Sequence, residues 1–127
     1  MRSLAPYLWV GIGGFLGANA RFLVTRLARR LLGEGFPYGT FFINLSGSFV
    51  LGLLLAALAE RALPHPSEIR LAAAVGFLGA YTTFSTFEWE CQMFVEDGQW
   101  GLAFLNMFGS VFLGFLAIRI GILLGRQ

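Results

Sequence analysis

Charge is scarce in this chain, and lysine is missing from it altogether. Only 13% of its 127 residues are charged, and all nine basic residues are arginine. A soluble domain of ordinary composition carries about twice that charged fraction. Cysteine occurs once, as Cys91, which excludes an intrachain disulfide and a thiolate metal cluster. Histidine also occurs once, as His65 between Pro64 and Pro66, and reads as a loop residue. Zinc, haem and serine-triad chemistry lack the residues they require, so the chain is not expected to be an enzyme. Nucleic acid is not among its expected partners.

What the chain has instead is apolar length. Hydrophobic residues make up 57% of it, and the mean hydropathy is +0.72. Crossing a bilayer takes about 20 apolar residues, and runs of that kind cover roughly Leu4–Leu27, Tyr38–Ala59, Ile69–Phe94 and Trp100–Leu124. They predict an all-α, multi-pass membrane protein, a single domain over residues 1–127 with four transmembrane helices. The first run is too long for a signal peptide and continues through Arg21 into a basic end, so it is read as a retained helix.

The arginines barely fix an orientation. With the N-terminus cytoplasmic, Arg2, Arg61, Arg70 and Arg126 lie on that side and Arg26, Arg29 and Arg30 on the other, with Arg119 near a helix end. The positive-inside rule needs a clear bias. A balance of four against three is compatible with insertion both ways up.

The pattern also repeats. Asn44, Ser48 and Gly52 form a small polar stripe at i, i+4 and i+8, and Asn106, Ser110 and Gly114 restate it at an offset of 62. The same offset aligns Gly14-Phe15-Leu16-Gly17-Ala18 with the identical pentapeptide Gly76-Phe77-Leu78-Gly79-Ala80. Two copies of a two-helix hairpin are expected, parallel to each other. Inversion symmetry would have to come from a second chain. The Gly13-xxx-Gly17 pair allows close helix approach.

The most unusual stretch is Gly76–Phe87. It begins as an apolar helix and then places Thr82, Thr83, Ser85 and Thr86 within five positions, with Phe84 and Phe87 at i, i+3 spacing on one predicted helix side. Glycines, β-branched threonines and competing hydroxyls predict a break in the third helix. An unbroken helix with hydroxyls bonded four residues back is the alternative. In lipid, a break persists only where protein or a water-filled cavity surrounds it, and it marks a binding or conduction site.

The spans hold amide and hydroxyl donors but no midplane carboxylate, which suits an anion held by donated hydrogen bonds. The electropositive edges of Phe84 and Phe87 would add weak contacts, or the rings are simply packing residues. Arg21, about 12 Å before Arg29 at the helical rise, snorkels toward the headgroups, lines an aqueous vestibule, or does both.

These residues carry a resemblance. Thr82-Thr83-Phe84-Ser85-Thr86-Phe87 behind its Gly-rich lead-in resembles the signature of the Fluc/CrcB fluoride ion channel family. Gly39-Thr40, Asn44 and Gly47-Ser48-Phe49 resemble that family's second-helix motif, and Gly14, Gly17 and Arg21 its first-helix pattern. The fourth helix departs from it, with Asn106 where relatives often carry a tyrosine. The resemblance implies an antiparallel, dual-topology homodimer in the cell inner membrane with two anion pores. It implies a pore lined by Asn44, Phe84 and Phe87, with Ser110, Thr83, Ser85 and Thr86 as a polar track and Glu90 near a pore mouth. It also implies a structural sodium ion held by the backbone carbonyls of Gly79 and Thr82. The expected function is passive fluoride export that reduces fluoride toxicity. A small dual-topology multidrug exporter is disfavoured because the first helix has no carboxylate to couple protons. A non-transporting membrane assembly subunit leaves the break without a role.

Overall fold

The computed structural model describes residues 3–127, so Arg2 lies outside the described residues. All regular structure within them is helical. Helix α1 (Ala5–Leu32) starts with a proline in its first turn, where the missing N–H costs nothing. It continues past Leu27, through Arg29 and Arg30 in its last turn, to Gly33 at φ 79°. Cations at that end face the negative end of the helix dipole, and a positive φ favours glycine. Helix α2 (Tyr38–Glu60) follows directly on Pro37.

The third apolar run is not one helix. Helix α3 spans 66–81 as a first turn Pro66–Ile69, a π-helical stretch Arg70–Leu78 and a last turn Gly79–Tyr81. Thr82 then turns extended, with ψ 158°, and a new helix, α4 (Ser85–Glu96), begins three residues later. After a tight connection with Gly98 at φ 73°, helix α5 (Trp100–Gly125) completes the chain. Three helices, α1, α2 and α5, are long and apolar enough to cross a membrane, with mean hydropathies of 1.2, 2.1 and 2.1. The run that α3 and α4 share is divided at Thr82, so neither piece is a full-length span.

The helices meet through glycine. Helix α1 packs along α3, and α2 along α5. A Cβ added at Gly13 or Gly17 would land in the backbone of Ala72 or Phe77, and one at Gly76 would lie 2.6 Å from Val10 O. Across the other seam, a Cβ at Gly52 would meet Ile118 and one at Gly121 would meet Phe49. The repeated pentapeptide thus packs against its own copy: Gly17 abuts Phe77, and Gly76 abuts Gly14. Backbone contact of this kind replaces the large apolar core that a soluble protein would need.

A small hydrophobic cluster is buried, centred on Ile43, Leu78 and Tyr81, with Ala20, Val24 and Leu51 against it. Large apolar side chains such as Leu8, Phe15, Phe22, Phe112 and Phe115 instead stand outward. In water such a surface would aggregate; in hydrocarbon it is the solvated face.

Gly17→Val should lower the melting temperature of the detergent-solubilised protein, at a cost of about 2–3 kcal/mol or more from overpacking. Gly14→Ala should be nearly silent, because its Cβ would meet only Gly76 O at 3.9 Å. Melts followed by helical circular dichroism distinguish the two, and equal tolerance would show that the seam is not tightly packed.

Candidate functional site

A helix break in lipid raises one question first: what satisfies its backbone groups? At Thr83 the answer is a single side chain. Asn44, on α2, donates from Nδ2 to Thr83 O at 3.0 Å and accepts the Thr83 N–H on Oδ1 at 2.9 Å. The carboxamide replaces both helical partners of one residue. In a continuous helix the Thr83 N–H would bond Gly79 O, so its diversion to Asn44 releases the Gly79 carbonyl. One of the two Asn44 Nδ2 hydrogens is left over.

The flanking hydroxyls finish the ends. Thr82 donates both its N–H (3.0 Å) and its Oγ1–H (2.9 Å) to Leu78 O, closing α3. Thr83 Oγ1 accepts the Thr86 N–H at 3.3 Å and donates to Thr86 Oγ1 at 3.1 Å, which caps the first turn of α4. Back-bonding and a break therefore coexist here. Ser46 Oγ lies 3.0 Å from Tyr81 Oη, a second tie between α2 and the end of α3. Arg21 Nη1 donates to Thr82 O across a long 3.5 Å, and its stem leaves α1 part-buried.

A cavity of about 300 Å³ lies at the break, bounded by Asn44, Ser48, Gly79, Thr82, Thr83 and Phe84. Five of the sequence-predicted residues (Asn44, Gly79, Thr82, Thr83 and Phe84) therefore share one space. Phe84 is the N-cap of α4, with φ −87° and ψ −44° and its carbonyl accepting the Glu88 N–H at 2.9 Å; it is 73% exposed, whereas Phe87 is 5% exposed. Their ring centroids are still 6.0 Å apart, tilted by 52°. Ser85 opens on the other side of Phe84, into a second cavity of about 620 Å³ shared with Trp89, Cys91 and Met107.

Ser110 does not reach the Asn44 cavity. It is buried on α5, donating to Asn106 Oδ1 at 3.1 Å, while Asn106 Nδ2 donates to Cys91 Sγ at 3.4 Å. Thr40 Oγ1 donates to Glu90 Oε1 at 2.6 Å, beside a cavity of about 560 Å³ that also holds Thr25, Arg29 and Asp97. Among the described residues Glu90 Oε2 is buried without a partner. Sequence reasoning gave no role to Ser46, Tyr81 or Cys91 and did not pair Thr40 with Glu90. Ser46 and Tyr81 could have been found only by knowing which faces of α2 and α3 meet.

With this geometry in place, comparison with known proteins assigns the chain. The family model described as "CrcB-like protein, Camphor Resistance (CrcB)" matches residues 8–122. The chain belongs to the CrcB family. Among curated relatives, the "Fluoride-specific ion channel FluC" of Solibacter usitatus is 46% identical over 121 residues, 95% of this chain and 98% of that protein. The protein of the same name from Acidobacterium capsulatum is 47% identical over 121 residues, 95% and 96% of the two chains. "Fluoride-specific ion channel FluC 2" of Moorella thermoacetica is 46% identical over 116 residues, 91% and 92%. These CrcB relatives are named as channels, a non-enzymatic role.

Proposed function

We propose that this chain is a fluoride-selective channel that crosses the cell inner membrane four times and lets cytoplasmic fluoride leave passively. Its relatives' names support the substrate. The observation that carries the reading is the Asn44–Thr83 bracket, which holds open a break lined by neutral donors, with Arg21 touching it only through a long 3.5 Å contact to Thr82 O. A fixed cation would trap an anion, whereas the spare amide hydrogen and the phenyl edges bind it weakly enough to release it. Fluoride enters acidified cells as neutral HF and is trapped as the anion, so a negative-inside potential drives it out without fuel. The anion path uses Asn44, Phe84, Phe87, Thr83, Ser85, Thr86 and Ser110, with Arg21 as a vestibule cation. The exporter reading is weaker, because α1 has no carboxylate for proton coupling.

Two such chains would pair antiparallel, inserted in opposite directions. The near balance of arginines supports this, as do Gly11, Gly101 and Gly109, which face open space and leave notches on α1 and α5. The donor chemistry fits a sodium ion on the axis of that pair. The Gly79 carbonyl is released by Thr83, and the Thr82 carbonyl has only the long Arg21 contact. Two neutral carbonyls from each chain suit a monovalent hard cation. A divalent ion would lack neutralising carboxylates, and no cluster of metal-binding side chains occurs among the described residues. When bound, sodium would tie the two breaks together as a structural ion that is not transported.

In liposomes with a fluoride electrode, the purified protein should release fluoride and not chloride. Asn44→Ala, Phe84→Ala and Phe87→Ala should each slow release about tenfold or more, the rate equivalent of one hydrogen bond to a charged group. Phe112→Leu on the outer face should be tolerated. Comparable chloride release, or indifference to Asn44→Ala, would overturn the reading.

Single cysteines introduced at either terminus of a Cys91→Ser background should react from both sides of the cell membrane with an impermeant reagent. Labelling from one side alone would rule out antiparallel pairing.

Replacing all sodium with a large organic cation should suppress fluoride release, with Gly79→Val impaired even in sodium and Thr82→Ser intact. Full activity without sodium would remove the ion from the account.

A further inference from the structure

Among the described residues, the least exposed of the buried polar side chains is not at the break. Asn106 is 1% exposed and, with Ile43, is one of the two largest fully buried side chains. Its carboxamide stands between two side chains that can each donate or accept, the Ser110 hydroxyl at 3.1 Å and the Cys91 thiol at 3.4 Å. In the arrangement seen, Ser110 gives its single hydrogen to Asn106 Oδ1, and Asn106 Nδ2 gives one to Cys91 Sγ. Ser110 then presents only lone pairs to an anion, which is the wrong polarity for binding one.

A half-turn of the amide reverses this. Carboxamide oxygen and nitrogen are nearly equal in size, so the rotated group fits the same space. Nδ2 would then donate to Ser110 Oγ, the Cys91 S–H would donate to Oδ1, and two hydrogen bonds would replace two. The Ser110 hydrogen would be released to point at an anion. We propose that Asn106 is a two-position amide that switches Ser110 between an anion-blind and an anion-binding state, with Cys91 supplying the donor that makes the second position possible. The proposal rests on Ser110 lying on the anion path, as in the channel reading above.

The resting preference follows from donor strength. A thiol is a weak donor and a hydroxyl a good one, so the Ser110-to-Asn106 bond favours the first position without ligand. An anion that takes the Ser110 hydrogen selects the second. Fluoride, the strongest hydrogen-bond acceptor among the halides, tips the balance furthest, and chloride less. Cys91 and Asn106 are thus positioning residues that act through Ser110.

The single cysteine makes the test direct, because the infrared S–H stretch of the whole protein reports Cys91 alone. Adding fluoride to the reconstituted protein should shift that band to lower frequency as the thiol becomes a donor, and equimolar chloride should not. An unchanged band in fluoride overturns the proposal. In fluoride-release assays Cys91→Ser should be at least as fast as the unmodified protein and Cys91→Ala several-fold slower. Cys91→Ala with Ser110→Ala should be no slower than Ser110→Ala alone. Equal losses in Cys91→Ser and Cys91→Ala, or losses that multiply in the double variant, overturn it. If Cys91→Ala fails to fold, the infrared result decides. Absence of fluoride release from the unmodified protein would reject the channel reading itself, whereas normal release with an unmoved S–H band rejects only the switch.

Discussion

The structure depends on one exchange of hydrogen bonds: Thr83 leaves the helical ladder and pairs with the carboxamide of Asn44 instead. Without that side chain, an N–H and a C=O would stand unpaired in an apolar layer, at several kcal/mol each. With it, the third pass can stop, turn extended at Thr82 and restart at Ser85. The released Gly79 carbonyl and the hydroxyl cap on α4 both follow from that interruption.

The duplicated sequence carries one break among the described residues, and the two copies differ at the position that decides it. Arg21 and Thr83 are equivalent under the offset of 62, as are Asn44 and Asn106. Asn44, in the first copy, reaches across to Thr83 in the second, and the helix opens there. Its counterpart Asn106 does not reach back to Arg21, where α1 runs unbroken, and turns to Cys91 and Ser110 within its own copy. Two like frameworks have been put to different uses, one amide supporting backbone and the other engaging side chains.

Much of this was legible beforehand. Apolar run length marks the helices, and the crowd of hydroxyls after Gly79 marks the break, because threonine and serine compete locally for backbone groups. The glycine pattern foretells close packing, though not that each pentapeptide would meet its twin. Helix spacing held for Phe84 and Phe87, whose rings lie together at the start of α4, but it did not foretell that one would be exposed and the other buried. The long-range ties were invisible for a plain reason. Ser46 to Tyr81 and Thr40 to Glu90 depend on helix rotation, which weakly amphipathic, uniformly apolar helices do not encode in their periodicity.

The two glycine seams have a mechanical consequence. Where backbones touch directly, no flexible side chain remains between the helices to yield under load. A membrane thinner or thicker than the protein's apolar height can be met by tilting each seamed pair as one body. The adjustment would then fall between the pairs, on the Asn44–Thr83 link that joins them.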